Sequence, residues 1–271
     1  MDYKIILILL LIGHFIGDYY AQSTVMAQQK DTRMGILLKH GLYYLIAIII
    51  TTGLPLLVLA GAGASPLGWL ILAIVPLTHF LIDLTKYRWP VWAQLFKKDS
   101  KAVFVTDQLS HILIIVIVAL LYATVSPIAY SSTAISLANW YAGLNINLTA
   151  YDALRALCLA LFLWKPASIV IQLILANKVN PTEPPETQEP QAEEEKEQIA
   201  GRYIGVAERY ITVILVILQQ YAALGLIIAA KSLARFNKIA KEQGFAERYL
   251  LGTLSSLLFA ILGGLLFLYV F

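Results

Sequence analysis

The strongest constraint on this chain is a series of long apolar segments interrupted, well inside them, by histidine and aspartate. Apolar runs near 3–23, 35–60, 67–87, 104–125, 151–178, 204–232 and 246–270 approach or exceed the roughly 20 residues that cross a bilayer core. Only 14% of the 271 residues are charged and mean hydropathy is +0.72, against about a quarter charged in soluble domains. The expected fold is therefore all-α: a polytopic transmembrane helix bundle with about seven hydrophobic segments. No basic stripe interleaved with aromatics is present, which argues against nucleic acid as a partner. Cys158 is the single cysteine, so an intrachain disulfide and a thiolate metal cluster are excluded. The first segment reads as a retained helix, because His14 and Asp18 interrupt its end and no small-x-small site precedes Asp18.

Composition divides the chain into four regions. Residues 1–125 read as a four-helix transmembrane domain. Residues 126–178 read as an outer loop followed by a kinked or re-entrant helix, since Lys165-Pro166 stands inside the fifth segment. Residues 179–200, rich in Pro, Glu and Gln, read as an acidic solvated linker. Residues 201–271 read as a two-helix membrane region.

Basic residues set the expected orientation. Lys30, Arg33 and Lys39 follow the first segment, and Lys86, Arg88, Lys97, Lys98 and Lys101 follow the third. The stretches after the second and fourth carry none. The positive-inside rule then places the two basic loops in the cytoplasm of a bacterial inner membrane protein. The basic segment Lys231, Arg235, Lys238 and Lys241 asks for the same side, which simple crossings by every preceding segment forbid. Either 151–178 is a re-entrant pair broken at Pro166, or one later segment does not cross. Glu208 and Arg209 are expected to pair with the basic segment or to meet lipid head groups, and Gln219 and Gln220, mid-segment, need polar partners.

The polar residues of the front half are patterned. His14, Asp18 and Gln22 stand four apart, as do His79 and Asp83, and Asp107 and His111, so each set falls on one helical face. His40 opens the second segment after Lys39, with Tyr43 and Tyr44 one turn on, and Gly13 and Gly17 leave room for a neighbouring helix. With seven aspartates in the chain, a given histidine meets one at this spacing by accident roughly one time in twenty; three of the four do. His14 and His79 lie roughly 10–12 Å above their basic loops and His111 about 15 Å from Lys101, so an up-and-down bundle brings all four histidines to one end of a common core.

Ionisable groups in a bilayer are costly and face the bundle interior. Imidazole and carboxylate are ligands for Zn, Mn and Fe, and helical bundles grip ions from consecutive turns. The expected metal ligands are His14, Asp18, His40, His79, Asp83, Asp107 and His111, for one or two divalent ions. An unligated member of Asp18, Asp83 and Asp107 would serve as general base. Gln22, Gln108, Lys39 and Lys86 are expected around them, the lysines and Arg88 also being ordinary positive-inside residues. Hydrogen-bonded structural His–Asp pairs, or a proton or ion relay, fit the same pattern.

The segments HFIGDYYAQ, KHGLYY, HFLIDLTK and DQLSH resemble an uncharacterised bacterial inner-membrane family, domain of unknown function 3307, over about residues 4–125. GRYIGVAERY, AAKSLARF and FAERYLLGTLSS resemble the C-terminal extension of its longer members. The motifs are similar, more weakly, to membrane-bound metal-dependent hydrolases. These resemblances imply an integral membrane protein, and the second implies a metal-dependent hydrolase; a site a turn or two below the cytoplasmic head groups, near Lys and Arg, suits a lipid-linked or phosphorylated substrate. A transport protein and a non-catalytic structural or regulatory membrane subunit are the competing expectations.

Overall fold

In the computed structural model, residues 2–60, 65–88, 100–126, 128, 130–143, 149–175, 189–241 and 243–269 are described; Lys97, Lys98 and residues 179–188 of the acidic linker fall outside them, and the rest of the linker, 189–200, is helical. The described residues are predominantly helical and contain no strand. Six helical stretches are long and apolar enough to cross a membrane. The protein is a polytopic helical membrane protein.

The chain divides into two compact units, Met1–Cys158 and Leu159–Phe271. In the first, α1 (Asp2–Phe15) continues into a π-helical turn at Ile16–Tyr20, and α2 (Thr24–Gln29) forms a short connector capped by Ser23. Next, α3 (Met34–Ile48) passes through a second π-helical turn, Ile49–Gly53, into α4 (Leu54–Ala60). Then come α5 (Pro66–Arg88) and α6 (Ser100–Val125). Helix α7 (Ser132–Gly143) occupies what sequence suggested was an outer loop, tied by Ser131 to the carbonyls of Val58 and Leu59.

Packing is inverted relative to a soluble bundle. On α3 and α4, Leu38, Leu42, Leu45, Ile49, Leu54 and Leu57 are exposed while His40 and Tyr44 are buried. Hydrocarbon solvates the leucines, whereas an imidazole in hydrocarbon lacks partners and is driven inward. Small residues set the closest approaches: a Cβ on Gly68 would come within 2.7 Å of Ser126 Oγ, and one on Gly13 within 2.5 Å of Thr51 Oγ1.

Helix α8 (Ala150–Leu175), part of the second unit from Leu159 onward, runs through Pro166 without a break, so the re-entrant alternative at that position is not what forms. Proline cannot bond the carbonyl of Phe162. Beside it, buried Arg209 donates from Nε to the carbonyl of Leu163 at 2.8 Å and from Nη2 to Ser168 Oγ at 2.5 Å. The break falls instead within 204–232. Helix α9 (Glu189–Ile217) stops, the chain turns, and α10 (Tyr221–Ala234) returns. Glu208 on the outgoing arm bonds Lys231 on the returning one at 2.5 Å. Arg209 is thus wired to α8, and Glu208 alone meets the basic segment. The short α11 (Phe236–Lys241) and the long α12 (Gln243–Tyr269) follow.

The turn explains Gln219 and Gln220. Gln219 has φ of 57°, its N–H bonds the Val216 carbonyl, and the N–H of Gln220 bonds that of Leu215. This is a Schellman termination, a motif that normally takes glycine at the left-handed position. A hydropathy pattern cannot show it, because the flanking residues are apolar on both sides. Replacing Gln219 by Gly should raise stability by about 1 kcal/mol and replacing it by Val should lower it by more, measured by thermal unfolding in detergent.

Candidate metal centre

The π-helical turn at the end of α1 shapes the centre. The N–H of Ala21 reaches the carbonyl of Ile16 at 2.7 Å, and the wider turn buries three consecutive residues, Gly17, Asp18 and Tyr19. Asp18 and Tyr19 therefore both face the interior. The helix ends at Tyr20, two residues before Gln22, so helical spacing no longer sets the face of Gln22. Gln22 Oε1 is buried without a hydrogen-bond partner.

Four helices converge on one cluster. His14, Asp18, His40, His79, Asp83, Asp107 and His111 are all buried. At its heart, His40 Nε2 and His79 Nε2 stand 3.1 Å apart. Asp83 Oδ2 lies 3.2 and 3.5 Å from these two nitrogens, and Asp18 Oδ1 lies 3.2 and 3.5 Å from the same pair. Two trios, His40–His79–Asp83 and His14–Asp18–His79, each present ligand atoms mutually within 4.8 Å.

Around this heart, His14 bonds outward: Tyr44 Oη is 3.3 Å from Nδ1, and Gln108 Oε1 is 3.2 Å from Nε2. Gln108 also accepts from Tyr19 Oη at 2.7 Å and donates to Asp18 Oδ2 and Asp107 Oδ2. Tyr44 stacks on His79 at 3.6 Å, nearly parallel, fixing the imidazole plane. His111 lies against His79 with ring centroids 4.2 Å apart. It stands 4.0 Å from Asp107, and neither ring nitrogen has a hydrogen-bond partner.

Two lysines supply positive charge. Lys30 Nζ lies 3.0 Å from Asp83 Oδ2, 3.4 Å from His40 Nε2 and 3.9 Å from Asp18 Oδ1. Lys86 Nζ bridges Asp83 Oδ1 at 2.5 Å and Asp107 Oδ1 at 2.8 Å. Three carboxylates thus face two ammonium groups, one negative charge in excess before any histidine is counted.

Of the expected surrounding residues, Gln108 and Lys86 join the cluster. Lys39 does not: it is exposed, 5.5 Å over the ring of Tyr43, because its position on α3 faces away from His40. The side chain of Arg88 lies outside the described residues. Lys30, Tyr19 and Tyr44 are members to which sequence reasoning assigned no site role. Lys30 stands twelve residues from Asp18 on a separate short helix, a separation with no helical periodicity to betray it.

The family model for a protein of unknown function (DUF3307) matches residues 6–139. That part of the chain, residues 6–139, belongs to this family. The match spans every member of the cluster, while the segments that resemble a C-terminal extension lie beyond it. No curated protein and no solved structure matches the chain.

Close approach of α1 to α3 is what lets Asp18 reach His40. A Cβ on Gly17 would meet Tyr44 at 2.7 Å to Cδ2 and 3.2 Å to Cα, so the backbone of α3 itself must retreat. Gly17→Ala should lower stability by about 1–3 kcal/mol, read as an earlier unfolding transition in detergent, whereas Gly35→Ala, with nothing within 4 Å, should not.

Proposed function

We propose that the cluster is an intramembrane divalent-metal centre, and that the protein is a metal-dependent hydrolase acting on a lipid-linked or phosphorylated amphipathic substrate. The observation that carries the metal reading is the triangle of His40 Nε2, His79 Nε2 and Asp83 Oδ2, with edges of 3.1, 3.2 and 3.5 Å. Ligands bound at about 2.0–2.2 Å in a tetrahedron stand about 3.3–3.6 Å apart, so these residues fit such an ion within a few tenths of an ångström. The donor set of imidazole and carboxylate suits Zn, Mn or Fe.

Unpaired atoms support the same reading. Both nitrogens of His111 are buried with no hydrogen-bond partner, an arrangement that costs stability unless something else engages them. Charge favours one ion over two. A single dication turns the cluster's excess negative charge into one positive charge, whereas a second would add two more in a low-dielectric interior. The two trios also share His79.

A bound divalent ion supplies a water of lowered pKa and polarises a substrate oxygen. The chain's own groups do the rest. Asp18 Oδ1, beside both imidazoles, is placed either as a fourth ligand or as general base toward that water. Lys86 and Gln108 hold Asp107 and Asp83 in place, and Lys30 is the cation nearest to where an anionic substrate group would bind. The hydrolase step rests on motif similarity and on this donor set.

A transport path would need polar groups continuing along the bundle. Among the described residues the stretch beyond the cluster buries no Asp, Glu, His, Lys or Arg; Ile6, Ile8, Leu10, Ile115 and Val118 are buried there, with the hydroxyls of Thr52 and Ser126 as the polar groups. One observation favours a metal-free network: each carboxylate has a lysine or amide partner already. Elemental analysis separates the two. Protein purified without chelators should carry about one divalent ion per chain, and His79→Ala and Asp83→Ala should lose it while Lys39→Ala keeps it. Chelation should lower the unfolding temperature of the wild type and not of Asp83→Ala. Wild-type protein free of metal would sink the proposal. Metal-dependent phosphate release from phosphatidate or dodecyl phosphate tests the hydrolase step.

A further inference from the structure

The second unit contains a feature that the metal centre does not use. Helix α10 has 14 residues, about 21 Å at 1.5 Å per residue, short of the roughly 30 Å of a hydrocarbon core. Its direction is set by contacts within the unit. Lys231, near its end, bonds Glu208 and lies 5.5 Å over the ring of Tyr249. Arg209 meets Ser256 at 3.4 Å, and a Cβ on Gly264 would meet Val216 at 2.9 Å. From Tyr249 to Gly264, α12 thus runs alongside α9 from Glu208 to Val216, and α10 comes back the other way. The turn at Leu218–Gln220 therefore lies near the far end of α12, and both feet of the hairpin lie near its start, where Glu247 and Arg248 stand.

We propose that α9 and α10 form a hairpin that enters and leaves the membrane by one face, and that the basic foot it creates binds the anionic phospholipid surface of that face. The foot carries Arg235, Lys238 and Lys241 on and beside α11, next to Leu233 and Phe236, which are 75% and 62% exposed. Lysines alternating with bare apolar side chains on a short helix at a membrane face match a surface of acyl chains and negative head groups. A single crossing would put Arg202 and this foot on opposite faces. The hairpin puts them on one, so the basic foot returns to the face from which α9 enters, where the positive-inside rule asks for it. The conflict in the sequence disappears without altering α8.

Three measurements test this. In a Cys158→Ala background, Tyr203→Cys and Lys241→Cys should react with an impermeant maleimide from the same side of sealed vesicles; reaction from opposite sides would overturn the hairpin. As a check that needs no cysteine, Glu208→Lys should destabilise the protein and adding Lys231→Glu should restore most of the loss. A double variant no better than the single one would count against the paired arms. For the foot, phosphatidylglycerol nanodiscs should raise the unfolding temperature of the wild type above its value in phosphatidylcholine, and Arg235→Gln/Lys238→Gln/Lys241→Gln should lose most of that increment. An increment unchanged in the triple variant, or a loss equal in both lipids as pairing with the chain's own acidic segment would give, overturns the lipid contact.

Discussion

The cost of placing an ionisable side chain in hydrocarbon governs the first unit. Seven buried histidines and aspartates on four apolar helices cannot each be solvated alone, so the only arrangement that satisfies them is one in which they meet. Helix order, the approach of α1 to α3 through Gly17 and the burial of two lysines follow from that requirement. The leucines pointing outward are the other half of the same constraint, since lipid solvates them as well as a protein core does.

The two π-helical turns show how the backbone accommodates the meeting. At Ile16–Tyr20 the wider turn lets adjacent residues, Asp18 and Tyr19, both face inward, which an α-helical turn would splay by about 100°. Such local irregularity is tolerated within a helix when neighbouring groups engage what it exposes. Tyr44, stacked on His79 and bonded to His14, performs a similar service: it fixes two imidazoles from a third helix. The cluster is held by orientation as much as by attraction, which suits residues that would act on a ligand in concert.

The second unit handles polarity differently. Its buried Arg209 has backbone and hydroxyl partners across α8 and α12, and Glu208 with Lys231 clips the two arms of a hairpin. Here polar groups serve to close a turn and to brace a proline-bearing helix. The same physical rule produces a dense acid–imidazole cluster in one unit and a scaffold of single contacts in the other.

The sequence by itself determined the helical class, the number of long apolar stretches to within one, and most of the cluster, because helical spacing and hydropathy are local properties. His14, Asp18, His79, Asp83, Asp107 and His111 could be paired on paper because each pair sits on one helix, one turn apart. Tertiary structure decided what periodicity does not encode. It brought Lys30 in and left Lys39 out, because helix rotation is set by the neighbours. It ended the helix at a π turn two residues before Gln22, where spacing along a helix no longer decides which way a side chain faces. It folded 204–232 back on itself at Gln219, because a left-handed residue between two apolar arms leaves hydropathy unchanged while reversing the chain.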